Sequence, residues 1–232
     1  MTIHRFAQYS EDWWRTRTGV ITASEVGPFV VNSGAVAAKA RRKLIAKKLA
    51  ELAGEVEEAF PNDAMKRGTA LEPFARAEYS RMFSVEVEEV GFVSHDQLKL
   101  GCSPDGLVMD GETIVRGLEI KCPSPTTHTL WLLDGDLPEE HKWQVHMSMA
   151  IAGADCWDFF SYCPRASFIK TRDAWHVDQL EAGSIPPLHV RVHRSAFTEE
   201  LLRGLSELCI EYSAAKASMA VRLNEYLTQN AA

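Results

Sequence analysis

GCSPDGLVMDGETIVRGLEIKCP, residues 101–123, is the stretch from which the fold can be read. Ser103-Pro104-Asp105-Gly106 has the composition of a tight turn, and fourteen residues after Asp105 the triplet Glu119-Ile120-Lys121 lies inside an apolar, β-branched run. Between them Asp110-Gly111 predicts a hairpin, because that pair accepts the positive φ angles a two-residue turn requires. Side chains alternate along a strand, so Glu119 and Lys121 point to one face while Leu118 and Ile120 point to the other. The hairpin brings Asp105 toward the polar face. Two carboxylates and an ammonium then share one small site. Hard oxygen donors of this kind suit Mg²⁺ or Mn²⁺. A divalent cation there activates water for phosphodiester hydrolysis, and Lys121 helps to offset charge on the phosphate oxygens. The same pattern also describes an ordinary hairpin with a surface Glu–Lys pair, so the flanking sequence has to decide.

A chain of 232 residues, 46% hydrophobic and 25% charged, has room for one sizeable α/β domain with a helical addition. We read it as a single domain over 1–232 with a C-terminal helical segment from about 195. No apolar run is long enough to span a membrane, and the N-terminus lacks the apolar core of a signal peptide, which predicts an intracellular, cytoplasmic protein. Five cysteines, none in a C-x-x-C pair, indicate neither a disulfide framework nor a zinc knuckle. His141 and His146 are five apart, off the i,i+4 spacing of a shared helix face, and read as ordinary helix residues. Residues 1–50 carry nine Lys+Arg against three Asp+Glu, a balance of +6, which leaves −13 of the net −7 for the rest. A basic end on an acidic body suits a local surface for phosphate.

In chain order, Thr22-Ala23-Ser24-Glu25 fits a capping box and predicts a helix start. With Arg17 just upstream and Ser24 at the exposed N–H groups, it is either a plain capped helix or an anion site. Residues 35–52 predict a strong helix with Leu44, Ile45, Leu49 and Leu52 buried. Its Lys39, Lys43 and Lys47 row is either a solvated face or a track for a DNA backbone. A second helix is expected over 65–83, regular from about Leu71 so that Pro73 falls early in it. Glu72 then projects from a helix start, as a third metal carboxylate or as a first-turn acid. Strands are expected over 84–94, 98–102, 156–163 and, as a pair, near 168–177 and 189–193. Helices are expected over 125–133, from Pro138 to Gly153, and from Ser195 to about Leu227, the last packed on the sheet or between subunits. The aromatic cluster of CWDFFSYC, residues 156–163, reads as core.

Taken together, Trp13/Trp14 with Arg17-x-Gly19-Val20-Ile21-Thr22-Ala23-Ser24, Arg67-Gly68-x-x-x-Glu72, Cys102-Ser103-Pro104-Asp105-Gly106, Gly117-Leu118-Glu119-Ile120-Lys121-Cys122-Pro123 and Gln144-Val145-x-x-Ser148-Met149 resemble the phage lambda exonuclease family of YqaJ-type viral recombinases. The segments occur in the same order from about residue 10 to 165. That resemblance implies an α/β (α+β) restriction-endonuclease-like core, a mixed central sheet flanked by helices. It implies a Mg²⁺-dependent 5′→3′ exonuclease on double-stranded DNA, with Mn²⁺ as a substitute and two ions in the site. The product would be a 3′ single strand for a partner single-strand annealing protein, and the enzyme a homotrimeric ring. By position, Asp105 would bridge the metals and Glu119 would bind one ion with the carbonyl of Ile120. Glu72 would help to hold the second, and Lys121 would orient or deprotonate the attacking water. Arg17, Ser24 and Ser103 match a 5′-phosphate pocket. Gln144 matches the first glutamine of a family Gln-x-Gln whose second position is His146 here, and Met65 falls where a residue could wedge between end bases. Rival readings are an endonuclease with the same core and a non-catalytic DNA-end-binding adaptor. The iron–sulfur relatives of this core need four grouped cysteines, which the sequence lacks.

Overall fold

The computed structural model describes residues 1–55, 61–181, 183 and 185–229. Its strands fall into three sheets. The first joins β1 (Thr2–His4), β2 (Ile21–Thr22), β3 (Phe92–Ser94) and β4 (Leu100–Cys102) in the order β1-β3-β4-β2. Here β2 and β4 run parallel, so the chain leaves both strands at the same end of the sheet. β5 (Gly106–Asp110) and β6 (Thr113–Lys121) form the expected hairpin, with Asp110 opposite Thr113 and Gly111 at φ +59°. Glycine adopts that left-handed conformation without a Cβ clash. β7 (Cys156–Ser161) lies parallel to β6, while β8 (Arg165–Lys170) and β9 (Trp175–Glu181) form a separate hairpin. β10 (Leu188–His193) completes the second sheet in the order β10-β7-β6-β5.

The α-helices among the described residues are α1 (Glu11–Arg17), α2 (Ala35–Leu52), α3 (Asp63–Phe83), α4 (Pro125–Asp134), α5 (Glu139–Ala152) and α6 (Ala196–Gln229). Parallel β6 and β7 need a crossover, which α4 and α5 provide. The period-2 alternation of these strands fills both faces of the sheet. Trp157 and Phe159 join Val145, Met147 and Met149 of α5 in the main core, whereas Leu118, Ile120 and Phe160 pack against Ala75 and Tyr79 of α3. On the α5 side, a Cβ at Gly117 would stand 2.3 Å from the Trp157 ring, so the absence of a side chain lets the indole cross the strand. The aromatic cluster is core, as its sequence suggests. No described helix is long and apolar enough to cross a membrane.

Several expectations are corrected. The capping-box residues open no α-helix. Ala23–Glu25 is one 3₁₀ turn, a second turn follows at Pro28–Val30, and Glu25 accepts from Thr22 N (3.2 Å) and Thr22 Oγ1 (2.7 Å). Pro28 disfavours helical backbone at Gly27, which stops propagation. α3 is continuous from Asp63, capped by Asn62 Oδ1 on Met65 N at 2.9 Å, so Pro73 and Glu72 lie mid-helix and not at a start. Burial of Leu71, Ala75 and Tyr79 on either side of the proline offsets its lost hydrogen bond. The strand expected over 84–94 shrinks to β3. Val85 and Val87 instead pack on the α3 side of the sheet, and Glu88 keeps a single bridge to Leu107. On α2 Leu52 is 44% exposed, while Lys48 is 1% exposed. α6 packs through Leu201, Leu205 and Leu208 against α5 and α2 rather than on the sheet.

Candidate active site

The Ser103-Pro104-Asp105 turn links β4 to β5 and sets Asp105 beside the end of β6. Asp105 N donates to Leu118 O at 3.0 Å, and Asp105 Oδ2 accepts from Ile120 N at 2.6 Å. Both ends of the residue are therefore tied to the strand that carries Glu119 and Lys121. Glu119 is 1% exposed and its Oε1 lies 2.5 Å from Lys121 Nζ. Glu72 comes from α3, where Arg76 at i+4 grips its Oε1 at 2.6 Å and also donates Nε–H to Asp105 O at 2.7 Å. Arg76 thus locks the helix onto the turn. Sequence reasoning missed it, although its spacing from Glu72 is the signal.

The charges of these groups act on one another. Burial, then the charges of Glu119 and Glu72, push the Asp105 carboxyl well above the usual carboxylate range. Burial also raises Glu72, with Arg76 opposing it and Glu119 adding to it. For Lys121, burial works against the charge but Glu119 and Asp105 outweigh it, so Nζ is held above the ordinary lysine value.

Beside this acidic floor stands a basic and aromatic wall. Because β2 and β4 leave their sheet at one end, Ser24 and Ser103 arrive on the same side. Trp13 Nε1 donates to Ser103 Oγ (2.9 Å) and Gly91 O (3.0 Å), and the Arg17 guanidinium lies 4.7 Å from the centre of the Trp13 ring. Arg17 also reaches Thr22 Oγ1 at 3.3 Å. Behind Ser24, Glu25 is held by Lys47 at 2.7 Å and Lys48 at 2.8 Å, and Lys48 in turn meets Glu51 at 2.9 Å. A cavity of about 870 Å³ joins the two zones, with Arg17, Ser24, Ser103, Asp105, Glu119, Lys121 and Gln144 on its walls. Met65, 58% exposed, stands at its rim, and Asp173, Ala174 and Trp175 at the base of β9 close the far side. Lys66 Nζ anchors that hairpin through Arg172 O at 2.5 Å. Tyr9, Lys48, Glu51 and Trp175 had no sequence signal, since their roles depend on contacts distant in the chain.

His146 lies elsewhere. It is 6% exposed, its Nδ1 is 2.8 Å from Thr198 Oγ1, and its ring meets Phe197, so it fastens α5 to α6. His141 stacks on Phe159 at 5.3 Å, and burial, then the Lys121 charge, lower it to about 4.

Among the described residues, no group of three or more His, Cys, Asp or Glu side chains is placed to hold a metal ion together. Mg²⁺ does not demand such a group, since it keeps several waters and takes one or two carboxylates together with substrate phosphate. The donors here are hard oxygens, and the raised Asp105 marks an excess of negative charge that a divalent cation would relieve. The residues fit such an ion.

No curated protein matches the sequence. Among solved structures, the alkaline exonuclease LHK-Exo of Laribacter hongkongensis is 29% identical with a TM-score of 0.72, covering 94% of this chain and 100% of that one. A crystal structure of LHK-Exo in complex with dAMP matches equally well, with the same TM-score of 0.72. A phage-related exonuclease from Haemophilus somnus, 12% identical with a TM-score of 0.62 over 86% of this chain and 96% of its own, shares the fold. That fold is the restriction-endonuclease-like one, a mixed sheet flanked by helices. The YqaJ-like viral recombinase domain matches residues 12–155, a span that holds the acidic floor, Lys121 and the Arg17 wall, and the chain belongs to that family.

Proposed function

We propose that the protein is a Mg²⁺-dependent exonuclease that degrades one strand of double-stranded DNA in the 5′→3′ direction from a 5′-phosphorylated end. The observation that carries this reading is the adjacency of two unlike zones in one cavity. Asp105, Glu119 and Lys121 line its floor, and Arg17, Ser24 and Ser103 line the wall beside it. A strand whose terminal phosphate rests on Arg17 places an internal phosphodiester over the acids. Family membership and likeness to an alkaline exonuclease support the same reading.

Asp105 and Glu119 would hold Mg²⁺ or Mn²⁺, with the Ile120 carbonyl beside them and Glu72 at a second ion. A bound cation would supply Lewis acidity and lower the pKa of water. The chain's own groups do the rest. Lys121, charged in the metal-free site, donates to Glu119 and stands ready to donate to a phosphate oxygen or orient the attacking water. Arg76 fixes Glu72 and the Asp105 turn together. Gln144 projects from α5 into the same space and would help to orient the scissile group. Arg17 offers a charge-assisted contact to a terminal phosphate. The product would be a 3′ single strand suited to a single-strand annealing protein, and a homotrimeric ring would keep the enzyme on its DNA.

The test uses linear duplexes with 5′-phosphate or 5′-hydroxyl ends beside a covalently closed circle, with Mg²⁺ or EDTA. Mg²⁺-dependent loss of the phosphorylated linear duplex alone is expected. Cleavage of the circle would replace the exonuclease reading with an endonuclease. Binding of ends without hydrolysis would leave an adaptor.

A further inference from the structure

Among the described residues, Tyr9 is one of two non-glycine residues with positive φ, at +65°. Such a conformation is costly for a bulky residue and persists only where its surroundings over-determine it. Here they do. Ser10 caps α1 by accepting from Trp13 N (3.3 Å) and donates its hydroxyl to Ala7 O (2.7 Å), closing the turn around Tyr9. On the other side Gln8 Nε2 donates to Pro104 O at 3.0 Å, which ties the segment to the turn that carries Asp105.

The locked backbone presents an aromatic ring that the fold does not need. Tyr9 is 62% exposed and lies on the cavity wall, its ring 5.1 Å from Trp13. Trp13 is the opposite case, 4% exposed, holding Ser103 on one edge and carrying Arg17 over its face. The Tyr9 ring is therefore mounted on the indole that builds the proposed phosphate pocket and joined through Gln8 to the acidic floor. Its hydroxyl feels both zones. Partial desolvation, then Glu72 and Asp105, raise it, while Arg17 and Lys121 oppose them. Tyr9 lines the same cavity as Arg17 and Asp105, so its ring is open to a strand that spans the two zones. A half-exposed aromatic beside a backbone-binding arginine is the arrangement on which nucleobases stack, whatever their identity.

We propose that Tyr9 is a positioning residue on which the 5′-terminal base of the bound strand stacks, setting the distance between the Arg17 pocket and the phosphodiester over Asp105 and Glu119. The inference rests on the nuclease reading above and adds a base-stacking subsite to it.

Two 5′-phosphorylated duplexes separate this role from a structural one, the first with an ordinary 5′-terminal nucleotide and the second with an abasic one. Both are digested with Mg²⁺ by wild type, Tyr9→Phe and Tyr9→Asn; asparagine accepts positive φ, so it removes the ring without straining the turn. The wild type should favour the base-bearing end at least about 5-fold in kcat/KM, the lower range of base–aromatic stacking. Tyr9→Phe should keep that preference. Tyr9→Asn should abolish it, losing rate on the base-bearing duplex and little on the abasic one. Equal rates on both duplexes for the wild type, or an equal slowing of both by Tyr9→Asn, would overturn the Tyr9 assignment alone. No hydrolysis of either duplex by the wild type would instead bring down the nuclease reading and this inference with it.

Discussion

Replacing Lys48 with Met should cost far more than replacing its neighbour Lys47, and the difference tests how the basic wall of the cavity is built. Lys48 is 2% exposed at its side chain, between Glu25 (13%) and Glu51 (15%), while Lys47 is 48% exposed. Removing one partner of a buried ion pair leaves the other charges desolvated and costs ~3–5 kcal/mol. The residual exposure of both glutamates argues for the lower end, about 3 kcal/mol. At roughly 2–4 °C per kcal/mol for a domain of this size, thermal unfolding should fall by about 6–12 °C. Lys47→Met removes an exposed pair and should cost under about 1 kcal/mol. The acid limb checks the mechanism. Burial disfavours the Glu25 charge, but Lys47 and Lys48 outweigh it and hold the carboxyl at about 2 rather than 4.5. That contribution is complete above pH 4.5 and is lost as pH falls toward about 2. The stability gap between wild type and Lys48→Met should therefore narrow across that window. Because Glu25 fixes the turn bearing Ser24, and Glu51 accepts from Gly19 N at 3.1 Å, the variant should also blunt preference for 5′-phosphate. Equal losses of unfolding temperature for the two lysine variants would show that Lys48 is not held as a buried ion pair.

Other consequences follow from the same structure. Pro73→Ala should stabilise α3 by about 1–2 kcal/mol in denaturant melts, because an N–H is restored to the Thr69 carbonyl; a loss of stability would mean the proline is required for the packing. Gly117→Ala should destabilise by about 1–3 kcal/mol, since the new Cβ would sit 2.3 Å from Trp157, and unchanged melting would contradict that close approach. His141 is held neutral by burial and the Lys121 charge, at about 4. Its contribution is therefore complete above its ordinary value of about 6.5 and lost as pH falls through about 4, and His141→Phe should flatten that part of the stability–pH curve.

Local chemistry made much of this fold legible. The hairpin, the boundaries of α2 and the proline-led start of α4 depend on neighbours in sequence and form where the residues predict. The hairpin's loop is Gly111-Glu112, one residue past the expected Asp110-Gly111 pair, and α5 begins one residue after Pro138, its N-cap. Glu119 and Lys121 share a face because strand alternation leaves no other choice. The failures came where distant contacts override local preference. Pro73 sits mid-helix because Leu71 and Tyr79 are buried on either side of it. Lys48 stands next to the Lys39, Lys43 and Lys47 row with no sequence mark of its own, yet Glu25 from the 3₁₀ turn and Glu51 three residues on along α2 draw it inside. Val85 and Val87 alternate like a strand but find their partners in the α3 side of the core. Tyr9 gave no signal, since its importance lies in a backbone angle and in the floor it faces.

The proposed nuclease needs Asp105 and Glu119 to hold a divalent cation between them. Calorimetric titration of the DNA-free protein with Mn²⁺ tests it most directly, comparing wild type with Asp105→Asn and Glu119→Gln. Saturable binding is expected for the wild type, none detectable for Asp105→Asn, and at least about 10-fold weaker binding for Glu119→Gln. Mn²⁺ binding of unchanged affinity in both variants would contradict it.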